Sequence, residues 1–165
     1  MREIFCFIEK CLGCKSCELA CTLFHSASGD LRSAILEQPV PRSRVHVIPL
    51  DEKREIGGIM TMPLQCRHCA EPACAEACIA GGIVKDEETG IVTFNKEKCV
   101  GCWSCTMVCQ FGSVIRLTGE AKAVKCDRCD NIDTPSCVKS CPTKALVFCE
   151  REEFLALCKE IEEVG

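Results

Sequence analysis

The hydrophobic pattern of this chain comes in short blocks, and cysteines stand between the blocks. Glu3–Ile8 is mostly apolar and predicts a strand. Lys15–His25 predicts a short helix. Residues 26–44 are mostly polar and include Pro39 and Pro41, which predicts a long loop with one helical turn. Val45–Leu50 predicts a strand from its β-branched residues, broken by Pro49, and Ile59–Leu64 predicts a second. Ile83–Lys85, a polar turn over 86–90 and Ile91–Phe94 predict a hairpin. Val114–Leu117, a turn at 118–120 and Ala121–Lys125 predict another. Ala145–Cys149 predicts a last strand. From Glu152 to Val164 the residues Phe154, Leu155, Leu157, Cys158, Ile161 and Val164 recur at helical period, which predicts an amphipathic helix. Such a helix packs on the chain's own core or, on a sharper reading, docks a partner subunit.

The cysteines between these blocks are the dominant signal. Sixteen of the 19 fall into four runs: Cys11, Cys14, Cys17, Cys21; Cys66, Cys69, Cys74, Cys78; Cys99, Cys102, Cys105, Cys109; and Cys126, Cys129, Cys137, Cys141. The first and third runs read C-x2-C-x2-C-x3-C, the ligand spacing of a bacterial iron–sulfur site. The second lengthens the middle gap to four residues and the fourth lengthens it to seven. Three closely spaced thiolates wrap one cubane, and backbone N–H groups of the loop point at the sulfurs. The fourth thiolate lies about one helical turn further on and faces away. Sixteen thiolates suffice for four 4Fe-4S clusters, which implies one-electron transfer. Runs and hairpins alternate, so the chain reads as an internal repeat.

Two other uses of dense cysteine are weaker. Zinc favours two separated cysteine pairs rather than four thiols in one short repeated run. That alternative corresponds to a zinc-organised interaction protein. A disulfide scaffold requires an oxidising compartment. The first residues show no basic segment followed by an apolar one, and no apolar run approaches the roughly 18 residues of a membrane span. The expectation is a cytoplasmic protein without a membrane span.

Composition changes the picture in two ways. The 47% apolar fraction includes the cysteines, and there are only seven Phe, one Trp and no Tyr. Clusters would replace much of the missing core, and the metal-free chain is expected to be largely unfolded. The formal charge of −4 counts thiols as neutral. Four oxidised clusters with their thiolates add about −8. So negative a holo-protein excludes nucleic acid as a partner and favours a basic surface on another redox protein.

The remaining candidates are minor. Cys6, Cys149 and Cys158 read as small buried residues. His25 and His46 carry no motif. His68 lies inside the second run and reads as a surface histidine or one beside a ligand. Trp103 reads as a shield against water. Lys15, Arg67, Lys98, Lys125 and Arg128 flank ligands, where positive charge raises a nearby potential unless water solvates it. There is no nucleophile–base set, phosphate loop or dinucleotide fingerprint, so no catalytic residue is expected.

The four runs resemble those of the four-cluster ferredoxin-like subunits of complex redox enzymes. That resemblance implies an α+β fold of two fused ferredoxin-like modules, with run one paired to run four and run two to run three. It implies one cluster on Cys11, Cys14, Cys17 and Cys141, and a second on Cys21, Cys126, Cys129 and Cys137. The third would use Cys66, Cys69, Cys74 and Cys109, and the fourth Cys78, Cys99, Cys102 and Cys105. The implied organisation is a double module over 1–149 and a C-terminal helix over 150–165. Cys14-Lys15-Ser16-Cys17-Glu18-Leu19-Ala20-Cys21, His25-Ser26, Pro39-x-Pro41 before Arg44-Val45, and Pro63-Leu64-Gln65-Cys66-Arg67-His68-Cys69 are similar to the electron-transfer subunit of nickel carbon monoxide dehydrogenase. This implies a non-catalytic subunit between such an enzyme and a downstream acceptor. Similar subunits serve tungsten aldehyde oxidoreductases and hydrogenases. The family usually has Pro after the last cysteine of each run; here Thr22, Ile79 and Gln110 replace it, and only Pro142 remains.

Overall fold

The computed structural model describes residues 1–53, 58–117 and 119–164, the side chains of 52, 53 and 161–164 excepted. Thr118 of the predicted turn, and the Ile161 and Val164 side chains of the predicted helix face, lie outside that description. Four two-stranded antiparallel ladders carry the strands: β1 (Glu3–Cys6) with β8 (Leu146–Cys149), β2 (Val45–Lys53) with β3 (Ile59–Gln65), β4 (Ile83–Lys85) with β5 (Val92–Phe94), and β6 (Val114–Arg116) with β7 (Ala123–Lys125). Every strand in a two-stranded ladder is an edge strand. Pro49 and Pro63 are therefore tolerated in β2 and β3, and the register shifts between Pro49 and Lys53. The β1–β8 pair joins the chain's two ends, with Cys6 opposite Leu146 and Glu3 opposite Cys149.

Among the described residues six α-helices lie between or after the strands: α1 (Ser16–Phe24), α2 (Leu31–Ala34), α3 (Ala73–Glu76), α4 (Ser104–Val108), α5 (Ser136–Lys139) and α6 (Arg151–Val164). The single helical turn expected in the long loop is α2, capped where the Asp30 carboxylate accepts from the Ser33 N–H at 3.0 Å. Helices α3, α4 and α5 were not expected. Each has only four or five residues, too few for a period to register. Each carries the third cysteine of its run, as α1 does in run one.

Two separate cores follow. One gathers Ile4, Cys17, Cys21, Val45, Cys137 and Leu146, so it is built by β1, β8, α1, α5 and β2. The other gathers Ile83, Val92, Cys105, Val114 and Ala123, with Cys74, Cys78, Cys99, Trp103 and Cys109 at its edge. Helix α1 packs on α5, and α3 packs on α4. Elements of the first and fourth runs thus share one core, and elements of the second and third share the other. This is a mixed α and β arrangement in two modules.

Helix α6 packs on the first module. Phe154 stacks on Phe5 at 4.5 Å between ring centroids and meets Phe7 at 4.9 Å. Leu157 and Cys158 are half-buried, whereas Leu155 is exposed, so the buried stripe is narrower than its sequence suggests. Phe154→Ala should lower stability by about 2 kcal/mol, below the usual Phe→Ala cost because the ring is half-buried. Leu155→Ala should stay within about 0.5 kcal/mol. Anaerobic urea unfolding of both variants checks the contrast.

Candidate metal centre

Runs one and three fold alike. In each, a glycine precedes the second cysteine with positive φ: Gly13 at +67° and Gly101 at +70°. Lys15 and Trp103 follow in the left-handed region, and Ser16 and Ser104 open α1 and α4. Hydrogen bonds from those serines hold the Cys14 and Cys102 thiols below their ordinary pKa. Glycine is needed most at 101, because a Cβ there would lie 2.4 Å from the Ala121 carbonyl oxygen.

Runs two and four share a different solution. His68 and Arg128 take the left-handed position before the second cysteine. Their own N–H groups donate to the Sγ of Cys66 at 3.5 Å and of Cys126 at 3.4 Å. The longer gap ends at a proline, Pro72 or Pro135, which starts the helix carrying Cys74 or Cys137. The extra residues thus lie before the helix and leave its cysteine in place.

The closing cysteines also receive N–H donors. Gly82 N–H donates to Cys78 Sγ at 3.2 Å, and Ser113 N–H to Cys109 Sγ at 3.4 Å, each four residues on. In run one, α1 continues through Thr22 to Phe24, which a proline at 22 would oppose. The donor to Cys21 Sγ comes instead from Arg44 N–H at 3.2 Å, beyond the long loop.

Thiols of different runs converge. Cys11, Cys14, Cys17 and Cys141 line one small cavity, and Cys78, Cys99, Cys102 and Cys105 line another. Burial, then the neighbouring Cys66, pushes the Cys74 thiol up to about 11; Cys109 and Cys69 add to the rise and Lys125 opposes it. Burial, then Cys126, Cys21, Cys129 and Cys17, pushes Cys137 well up. Cys74 thus has Cys66, Cys69 and Cys109 about it, and Cys137 has Cys126, Cys21, Cys129 and Cys17. Cys126 has neighbours in both Cys21 and Cys66, so the second and third sets adjoin. Cys137 has Cys17 as a neighbour, so the first and second adjoin. The end sets each reach the surface through one exposed thiol, Cys14 and Cys102.

Convergent thiols with N–H donors to Cys21, Cys66, Cys78, Cys109 and Cys126 suit anionic iron–sulfur clusters, whose sulfurs accept such bonds. A buried imidazole gives an independent test of that fit. His68 Nδ1 accepts from the Val92 N–H at 3.0 Å, so its proton sits on Nε2. Nε2 is buried and has no partner among the described residues. The sulfur of a cluster held by the second run would supply the acceptor this donor lacks. Burial, with Lys125 and Arg128 nearby, pushes His68 down to about 2, so the ring is neutral. His68 is 5% exposed, which excludes the surface reading.

One polar network had almost no sequence signal. His25 Nδ1 donates to the Cys21 carbonyl at 2.8 Å and lies 3.6 Å from Cys21 Sγ. Its Nε2 donates to Asp127 at 3.2 Å, and the Arg44 guanidinium pairs with the same carboxylate. Burial pulls the His25 pKa down, but Asp127 and Cys21 outweigh it and raise it to about 9. Burial likewise opposes ionisation of Asp127, yet His25 and Arg44 hold it far below the usual carboxylate range. Only the four-residue offset of His25 from Cys21 on α1 hinted at this network.

Of the three remaining cysteines, Cys149 is buried and Cys6 and Cys158 are half-buried. Burial, with Cys11 and Cys141 nearby, pushes Cys6 up to about 12, which suits a packed thiol. Lys15, Arg67 and Lys98 are exposed, whereas Lys125 and Arg128 are buried.

This geometry defines an iron–sulfur protein of the dicluster ferredoxin class. The chain belongs to the 4Fe-4S dicluster domain family: one family profile matches residues 58–151 and a second, of the same description, matches residues 10–81. It is 34% identical over 175 aligned positions to the electron transport protein HydN of Escherichia coli strain K12, covering 96% of this chain and 94% of that one. It is 32% identical to an iron–sulfur protein of Rhodospirillum rubrum, covering 92% and 84%. It is 31% identical to the iron–sulfur subunit of the nitrate-inducible formate dehydrogenase of Escherichia coli strain K12, covering 93% of this chain but 55% of that subunit. A solved structure titled the active site complex BamBC of benzoyl coenzyme A reductase in complex with zinc aligns over 98% of the chain at 23% identity, with a TM-score of 0.45.

No helix among the described residues is long and apolar enough to cross a membrane. Gly101→Ala should displace the third run and cost about four irons per chain. Gly112→Ala, at φ +59° with open space around it, should keep them. Iron analysis of the two purified proteins checks this.

Proposed function

We propose that this chain is the electron-transfer subunit of an oxidoreductase complex, relaying single electrons through four 4Fe-4S clusters. The observation that carries the reading is the convergence of thiols from different runs: Cys141 lines one cavity with Cys11, Cys14 and Cys17, and Cys78 lines another with Cys99, Cys102 and Cys105. When bound, such clusters supply reversible one-electron redox chemistry. Cys11, Cys14, Cys17 and Cys141 hold the first, and Cys21, Cys126, Cys129 and Cys137 the second. Cys66, Cys69, Cys74 and Cys109 hold the third, and Cys78, Cys99, Cys102 and Cys105 the fourth. Residues 1–149 form the double module and 150–165 the appended helix.

The chain's residues bind and orient the clusters and contribute no catalytic group. Backbone N–H groups of Arg44, His68, Gly82, Ser113 and Arg128 donate to ligand sulfurs, favouring the reduced, more negative state. Cys14 and Cys102 mark the ends where electrons enter and leave. The exchanged cysteine of each run pins neighbouring clusters side by side. The protein works in the cytoplasm.

The partner is a catalytic redox subunit. The residues around runs one and two favour carbon monoxide dehydrogenase. The names of the relatives favour a formate- or hydrogen-linked enzyme, and a tungsten aldehyde oxidoreductase is a further candidate. Metal analysis of the complex captured anaerobically on this chain tests both claims. Iron at about 16 per chain supports the relay. Nickel in the partner then supports carbon monoxide dehydrogenase, whereas molybdenum or tungsten moves the relay to a pterin enzyme. Zinc without iron overturns the reading in favour of a zinc-organised interaction protein.

A further inference from the structure

Among the described residues, Lys125 is the largest fully buried side chain, at 2% exposure. It ends β7, and its Nζ donates to the Val92 and Cys126 carbonyls, the latter at 2.9 Å. Among the described residues no carboxylate forms an ion pair with it. A buried ammonium held only by carbonyl dipoles is strongly disfavoured unless a negative body lies nearby. The neighbours that supply one are thiols: Lys125 acts on Cys74 of the third set, and it adjoins Cys126 of the second.

A second buried cation reinforces the arrangement. Arg128 is 6% exposed and donates to the Arg2 carbonyl at 3.1 Å. It acts on Cys126 and Cys66, again one thiol from each central set, with Glu3 as the acid beside it. Of the cations flanking the end sets, Lys122 is half-buried and donates to the Cys99 carbonyl, and Lys15 and Lys98 are exposed. Water and salt screen those two, whereas buried charge acts at nearly full strength.

We propose that Lys125 is the counter-charge of the two central clusters and raises their reduction potentials above those of the end clusters. An electron entering at either exposed end would then rest in the middle of the chain, and the protein would hold charge as well as pass it. The inference rests on the four-cluster ligation proposed above. Lys125 is a positioning and tuning residue and touches no substrate.

The test uses the intact holo-protein and three variants. Lys125→Gln keeps a donor and removes the charge, Lys125→Met removes both, and Lys125→Arg keeps the charge. Iron content and EPR-monitored redox titration are measured for each. In the Gln and Met variants, two of four midpoint potentials should shift negative while the other two stay, and Arg should restore the wild-type values. Four unchanged potentials, or four equal shifts, would overturn the proposal. Where the neutral variants instead lose iron, retention of about 16 irons by the Arg variant against about 8 in the others supports a role for charge. Equal loss in all three variants shows that shape matters and charge does not, and overturns it. Wild-type protein without iron would overturn the ligation itself before any variant is compared.

Discussion

Thiols from opposite ends of this chain must converge, and the rest of the molecule follows from that requirement. Cys141 lies with Cys11, Cys14 and Cys17, and Cys21 lies with Cys126, Cys129 and Cys137. Meeting it requires the first and last strands to pair, α1 to lie on α5, and a return of the chain past residue 100. Runs two and three satisfy the same demand locally, with α3 on α4 inside the first and last elements. Neither apolar core is large. Several of their members are candidate ligands, so packing and metal binding use the same side chains, and cluster loss and unfolding become one event.

Electrostatics gives the two ends and the middle different characters. Four anionic clusters in a protein this small would repel one another and repel added electrons. Around the central sets the chain buries Lys125 and Arg128 and arranges His25, Asp127 and Arg44 about Cys21. Around the end sets it leaves Cys14 and Cys102 near the surface with serine donors. The polar groups therefore grade the environment along the row of thiols. The N–H donors to sulfur follow the same gradient: those of Arg44, His68, Ser113 and Arg128 reach thiols of the two central sets, and that of Gly82 reaches Cys78.

Much of this was legible in the residues because the signals were local. Cysteine spacing marked the runs, and blocks of β-branched residues marked the hairpins β4–β5 and β6–β7 within a residue or two. Helices α3 to α5 were invisible because one turn of helix carries no period; Pro72 and Pro135 mark the starts of α3 and α5, and α4 has no such marker. The β1–β8 pairing spans almost the whole chain, and no local pattern encodes it. Lys125 looked like a solvated flank. It is buried because β7 is covered on all sides, as its Ala-Val-Lys sequence does not reveal. His68 read as a surface histidine or one beside a ligand, and it is buried at a left-handed position of the second run. His25, Asp127 and Arg44 are far apart in sequence and meet only when the two ends of the chain are brought together.

The measurement that tests the central claim most directly is EPR of the reduced holo-protein carrying Cys141→Ser. If the chain's ends are joined through shared clusters, the altered signal belongs to the cluster held by Cys11, Cys14 and Cys17, and the cluster held by Cys126, Cys129 and Cys137 keeps its own. A change confined to the latter cluster would mean that each run holds its own metal, and the crossed architecture would be refuted.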